Sequence, residues 1–234
     1  MAFILMGFFY SAGWRYGFME QFYYGFEERD TGFRTSVSNY LSGMVFGDLE
    51  FGIKDGVRIR AKWFNSGTVY LRDEYGNLVR ITDYTFINLQ IYRGNVWVNV
   101  HYQPVAGSDV GISMGFLYRF WRMAFRVDNL GIGTPIIVGM ALDLRDRGLF
   151  LSGGWEYPYG PVWDITYSRP VMGMDFYLNK TNRYDYISGG GGILSGIAIG
   201  LELSRGDLGF RYAVRNLGEL GIMNTVEIRY GKSR

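Results

Sequence analysis

The chain reads as all-β: a closed, antiparallel transmembrane β-barrel of about 12–14 strands. Three observations predict it. Apolar residues alternate with polar or small ones at period two along almost all of the 234 residues, interrupted by Gly, Asn and Asp turn signals. One face of these strands is nearly uniform Ile, Val, Leu, Met and Phe, whereas the other is Gly, Ala and Ser with isolated charges. Aromatic residues gather near predicted strand ends, as in the interfacial girdles of membrane barrels.

Composition narrows the class further. There are 34 Gly, 5 Pro, no Cys and one His, and Lys+Arg at 24 nearly balances Asp+Glu at 22. Without cysteine there is no disulfide frame, zinc-thiolate site or thiol nucleophile. The balanced charge argues against nucleic acid as a partner, which calls for a clustered basic face. No uncharged apolar run reaches the roughly 18 residues of a membrane helix. Only four of the basic residues are lysine (Lys54, Lys62, Lys180 and Lys232). Arginine suits confined ion pairs, because its planar, weakly hydrated fork grips carboxylates bidentately.

Taken in order, the elements obey hairpin register, in which a short turn brings the apolar faces of two strands into step. Met1–Gly13 has an apolar core and a small-residue end like a signal peptide but lacks a basic start, so it is read as a first strand. Residues 47–84 form short, charged strands, a hairpin region that could protrude from a single domain spanning 1–234. Around Asp55-Gly56 a two-residue turn puts Phe51 and Ile53 out of step with Val57 and Ile59, so a bulge or longer loop is required. A turn at Gly94-Asn95 aligns Ile87, Leu89 and Ile91 with Val96, Val98 and Val100. Turns near Arg119-Phe120, at Arg147-Gly148 and at Arg205-Gly206 do the same for the later hairpins. The last of these sets Ser204 opposite Asp207 and leaves Glu202 diagonal to Arg211. Gly189–Gly192 precedes no helix pattern and no Lys-Ser/Thr, and so reads as a loop rather than a phosphate cradle.

The polar face then collects charges of both signs: Arg122, Arg126, Asp128, Asp143, Arg145, Asp164, Asp175, Glu202, Arg211, Arg215, Glu227 and Arg229. These are the candidate lumen-lining residues. They fit either a polar pore that selects solutes or a static ion-pair network that stiffens the wall. Trp63, Trp121, Trp155, Tyr157, Trp163 and Tyr230 are the candidate girdle. His101 falls on the polar face between Asn99 and Gln103, with no spacing that supplies a nucleophile, so no enzyme is expected. Neither a metal nor a cofactor is expected, since one His and scattered carboxylates form no ligand pattern. A soluble sandwich or barrel with arginine-rich solvent faces is the alternative reading of the same alternation.

Two segments look like copies of one motif, Phe125-Arg-Val-Asp-Asn-Leu-Gly131 and Tyr212-Ala-Val-Arg-Asn-Leu-Gly218. Asn and Gly accept positive φ and close a turn, and the Leu can pack back beneath a barrel rim. The pattern resembles the outer-membrane barrels of the fatty-acid-transporter-like (FadL/PorV-like) group, best over residues 108–234. The resemblance implies a bacterial outer-membrane barrel with such turns near the periplasmic edge. In that group some members pass hydrophobic molecules and others anchor envelope partners. The chain is short for the group, and its end, Arg229-Tyr-Gly-Lys-Ser-Arg234, lacks a terminal aromatic.

The expectation is therefore a non-enzymatic outer-membrane barrel acting as a passive pore for small solutes. The alternative is a structural or tethering barrel that holds another envelope protein or layer. The expected partners are the lipid bilayer and either a second copy of the chain or another envelope protein.

Overall fold

The computed structural model describes residues 32–40, 44–53, 56–72, 75–103, 109–131, 136–157, 160–182, 194–217 and 221–231. Fourteen strands follow in chain order. They are β1 (Gly32–Tyr40), β2 (Met44–Ile53), β3 (Val57–Arg72), β4 (Leu78–Arg93), β5 (Val96–Gln103), β6 (Asp109–Phe120) and β7 (Met123–Gly131). The second half holds β8 (Ile136–Leu144), β9 (Leu149–Tyr157), β10 (Gly160–Val171), β11 (Met174–Thr181), β12 (Ile197–Arg205), β13 (Leu208–Asn216) and β14 (Ile222–Tyr230). Each strand pairs antiparallel with its neighbours in sequence, and β1 pairs with β14, so the sheet closes on itself. Closure removes the sheet edges of the wall and satisfies the backbone within it. Met1–Gly13 and Gly189–Gly192 lie outside the described residues.

Two rims define the ends. At the near rim β1 begins, β14 ends, and the connections are short: Gly94-Asn95, Trp121-Arg122, residues 145–148, Met172-Gly173 and Gly206-Asp207. The far rim carries the alternate connections, the longest running from Thr181 to Ile197. β3 and β4 are 16 residues each, not short strands. Among the described residues β2 accompanies β3 only as far as Asn65, and β5 accompanies β4 only as far as Ile87. Beyond that the two pair with each other, through a bulge, out to Arg72 and Leu78.

The observed registers refine the turns. Arg93 opposes Val96 at the Gly94-Asn95 turn, as the alternation requires. Ile53 opposes Val57 across residues 54–56, the longer loop that restores step between Phe51 and Ile59. The other three turns each fall further along the chain or are longer than expected. Phe120 opposes Met123, Leu144 opposes Leu149 across a 3₁₀ turn (Arg145–Arg147), and Arg205 opposes Leu208. Every shift is an even number of residues in the pairing, so no side chain changes face. Trp121 shows why one turn was misplaced: it takes a left-handed φ of 53° without the Gly or Asn that usually marks that conformation. The 12 → 13 hairpin correction matters most. Glu202 stands directly opposite Arg211, not diagonal to it.

Alternation sorts the wall into two surfaces. Val96, Val98, Val100, Ile112, Met114, Phe116, Ile199, Leu201 and Leu203 are all exposed on the outside. Among the strand residues whose exposure is described, no Asp or Glu faces outward; the outward charges there are Arg93, Arg169 and Arg205 toward the near rim and Lys180 at the far rim. The inside holds the buried polar set, together with an apolar cluster that includes Leu117, Ala124, Ile137, Ala141, Phe150 and Val162. Glycine and aromatic residues are paired across strands. Gly47 lies opposite Trp63, Gly111 opposite His101, Gly115 opposite Trp97 and Gly200 opposite Tyr177. A Cβ at any of these glycines would fall within the facing ring, so the missing side chain is what lets the ring lie flat on the wall.

Candidate functional site: the charged interior

The interior charges form connected groups that follow from register. At the start of the barrel, Arg34, Glu50 and Arg60 share one row across β1, β2 and β3, and Ser36, Asp48 and Lys62 share the next. Asp48 accepts from Arg60 Nε at 2.9 and 3.0 Å and from Arg34 Nη2 at 3.3 Å. Glu50 bridges Arg34 at 3.0 Å and Arg58 at 3.6 Å.

A second group sits on β4–β7, where a bulge sets Gly115 against both Asp128 and Asn129. Asn129 adopts φ 59°, and the two successive side chains Asp128 and Asn129 are both buried. Asp128 accepts from Trp97 Nε1 at 2.8 Å and from Arg126 at 2.5 Å. The Arg126 guanidinium lies over the Trp97 ring at 4.3 Å. Asn99 donates to Ser113, Asp128 and Asn129 and accepts from Gln90 at 2.8 Å.

A third group is carried by β12–β14. Glu202 is held by Arg211, whose Nε donates at 2.8 Å, and by Arg229. Glu227 lies 3.7 Å from Arg211, and the Arg211 guanidinium stands 5.4 Å from the Tyr177 ring. Deeper toward the far rim, Arg215 donates to Asn179 at 2.7 Å and to the Gly196 carbonyl at 3.0 Å. Asn179 in turn donates to Thr166 at 2.9 Å and to Asp164 at 3.5 Å.

Of the twelve candidate lumen residues, Arg126, Asp128, Asp164, Glu202, Arg211, Arg215 and Glu227 are buried on the inner face, and Arg229 lies partly buried beside them. Arg122 is a turn residue whose ion pair with Asp146, at 2.9 Å, stands in solvent off the wall. Arg145 belongs to the 3₁₀ turn and grips Asp143, the last inward residue of β8. Asp175 shares the inner face with Glu202 but is exposed at the near rim. The Asn-Leu-Gly motifs both lie at the far rim, opposite the end where β1 begins and β14 ends. Leu217 packs inward at 3% exposure, whereas Leu130 is 39% exposed and does not tuck beneath the rim.

The aromatic candidates occupy both ends. Trp121 and Tyr230 are exposed at the near rim, while Trp155, Tyr157 and Trp163 are outward near the far rim. Trp63 is not at the end of its own strand. It is in register with Ile87, which opposes Tyr102, and so sits level with the end of β5. His101 lies over Gly111, buried in the wall. Among the described residues no group of three His, Cys, Asp or Glu is placed to hold a metal ion.

The sequence reading missed Arg34, Asp48, Glu50, Arg58 and Arg60. The charge of residues 47–84 suggests a hairpin that could protrude, yet the Arg58-Ile59-Arg60-Ala61-Lys62 alternation carries the same signal as the later strands. A sheet with an apolar outside, a charged inside and no edge is the inverse of a soluble barrel; it belongs to the class of closed antiparallel β-barrels that membrane proteins use.

No family model matches the chain, and no curated protein matches its sequence. Among solved structures it is similar to two mutants of the Rh. blastica porin. Both are 10% identical and aligned over 86% of this chain and 99% of theirs, with TM-scores of 0.37 and 0.38. The architecture is therefore described from this chain's own strand pairing.

Proposed function

We propose that the protein is a bacterial outer-membrane barrel through which small polar solutes pass. The observation that carries this reading is the inside-out distribution of side chains on a closed wall. Outward Ile, Val, Leu, Phe and Met stand exposed on strand after strand, while Arg, Asp, Glu and Asn face inward. Water penalises so large an apolar surface, whereas a bilayer does not. Most strands are 8–12 residues long, close to the roughly 9–11 needed to span the hydrocarbon at a tilt. The outward Arg93, Arg169, Arg205 and Lys180, kept toward the rims, match headgroup height. The inner charges offer a hydrated or polar solute a succession of alternating partners. In this reading the protein works without covalent chemistry, and His101 is a wall residue.

A second reading rests on a different observation. Arg215 is 1% exposed, Glu227 2% and Asn99 0%, so much of the inner wall is sealed by its own network. A structural barrel that tethers a second copy or another envelope protein would use such a wall for stiffness alone. The Asn-Leu-Gly turns and the 14 described strands support placing the barrel near the fatty-acid-transporter-like group, within which anchoring roles occur.

Planar-bilayer conductance tests the pore. Stepwise ion conductance that changes when Arg126 is replaced by Gln is the expected result; an electrically silent protein that inserts normally leaves the tethering role. The membrane assignment has its own check, since a monodisperse, folded protein in detergent-free buffer would overturn it.

A further inference from the structure

Just inside the near rim, between the β2–β3 wall and the β4–β7 wall, the barrel holds a cavity of about 410 Å³, counted with the space open to solvent. Arg58, Arg60, Arg119 and Arg126 line it, and Glu50 is the one carboxylate that does. Tyr92 and Trp97 form part of its floor. We propose that this cavity is a binding site for a small oxyanion of the phosphate class, either inorganic phosphate or a phosphate monoester. The proposal deepens the pore reading by naming the solute class that the interior favours.

Three features of the geometry lead there. The first is the aromatic floor. Register sets Arg58 opposite Tyr92, Tyr92 opposite Trp97 and Trp97 opposite Gly115 in one row across four strands. Because Gly115 has no side chain, the Trp97 ring lies on the wall and offers its face to Arg126. The second is how the guanidinium groups are held. Arg58 stands over the Tyr92 ring at 5.3 Å and Arg126 over Trp97 at 4.3 Å. A guanidinium stacked on a ring is fixed in orientation while its N–H groups stay in the plane of its edge, the geometry that grips a planar or tetrahedral oxyanion in a fork.

The third is the placing of the carboxylates. Asp48 and Asp128, which hold Arg60 and Arg126, do not line the cavity and lie fully within the wall. The space therefore faces four guanidinium groups and one carboxylate. Glu50 is shared between Arg34 on β1, at 3.0 Å, and Arg58 on β3, at 3.6 Å. An oxyanion with several oxygens on one centre can accept from several forks at once. A halide offers one point charge to the same groups and has no such advantage.

The test uses the folded protein in lipid nanodiscs, with inorganic phosphate as the probe, followed by calorimetry and by broadening of the phosphorus resonance. Saturable binding with Kd of about 1 mM or tighter is expected. Arg58→Gln combined with Arg119→Gln should weaken it by roughly tenfold or more, and Lys at both positions should restore part of the loss. Folding of each variant is checked by heat-modifiable gel migration. Should the double Gln variant not fold, competition on the unaltered protein serves instead: phosphate binding that survives equimolar chloride supports the site. Absence of saturation, or saturation indifferent to both substitutions, overturns it. Conductance in the same bilayers keeps the two readings apart. A silent barrel that still binds phosphate sinks the pore and keeps the site. A conducting barrel with no phosphate-dependent block and no response to Arg58→Gln keeps the pore and sinks the site.

Discussion

The inner wall has two unlike sectors. Around the closure, β1–β3 and β12–β14 face each other's charges: Arg34 opposes Arg229 and Ser36 opposes Glu227 across the β1–β14 seam. On β6–β10 the inner wall carries an apolar cluster, Leu117, Ala124, Ile137, Ala141, Phe150 and Val162, beside the buried Arg126–Asp128 pair. The seam joins segments nearly the whole chain apart, and opposing arginines alone would repel there. Each arginine is neutralised by an acid from its own side, Arg34 by Asp48 and Glu50 and Arg229 by Glu202. The Ser38–Thr225 hydrogen bond at 2.8 Å adds a short neutral tie. The β6–β10 sector, built from consecutive hairpins, sets the Arg126–Asp128 pair beside its apolar cluster. Closure between distant strands thus leans on polar matching, whereas the β6–β10 hairpins lean more on apolar fit.

That contrast makes graded predictions. The largest effect is expected from Glu202→Ala, which leaves Arg211 and Arg229 buried together at the seam without their shared acceptor. The loss should be about 3–5 kcal/mol, read as a fall in the urea midpoint of the folded band. Ile137→Ala, in the apolar sector, should cost about 2–4 kcal/mol and, unlike the seam variant, should show little dependence on salt. If both respond alike to salt, the division into sectors is wrong. Gly200→Ala drives a methyl into the Tyr177 ring and should cost about 1–3 kcal/mol; Tyr177→Ala combined with it should recover part of that loss, measured as a double-mutant cycle. The smallest effect belongs to Arg122→Gln. Its partner Asp146 is exposed in the near-rim turns, so stability should change by about 0–1 kcal/mol and conductance should stay the same.

Much of this was readable in advance because side-chain period is insensitive to even-numbered slips. The reading that put Glu202, Arg211, Arg215, Glu227 and Arg229 on one face survives a turn displaced by one residue, since the pairing moves by two. What the alternation cannot resolve is how far a residue lies from the end of its strand. Arg122 and Arg145 carry the right parity for the wall yet fall in turns, because the left-handed φ of Trp121 and the 3₁₀ turn at Arg145–Arg147 have no Gly or Asn at those positions to announce them. The Arg34–Asp48–Arg60 group went unseen for another reason. Its acids and bases lie on three strands of which β2 and β3 are joined by a three-residue loop, and the stretch is unusually rich in charge for a barrel wall.

The alternation of residues along each strand, with Gly, Asn and Asp between strands, is enough to establish an all-β chain with one apolar and one charged face. Periodicity is a local property, carried by neighbours two residues apart. Which end strand meets which, and at what register, is not local. It depends on β1 and β14 finding each other and on the ion pairs that make that seam acceptable. The cavity behind Arg58 and Arg126 arises only then, because its lining comes from β2, β3, β4, β5, β6 and β7 brought around a closed wall.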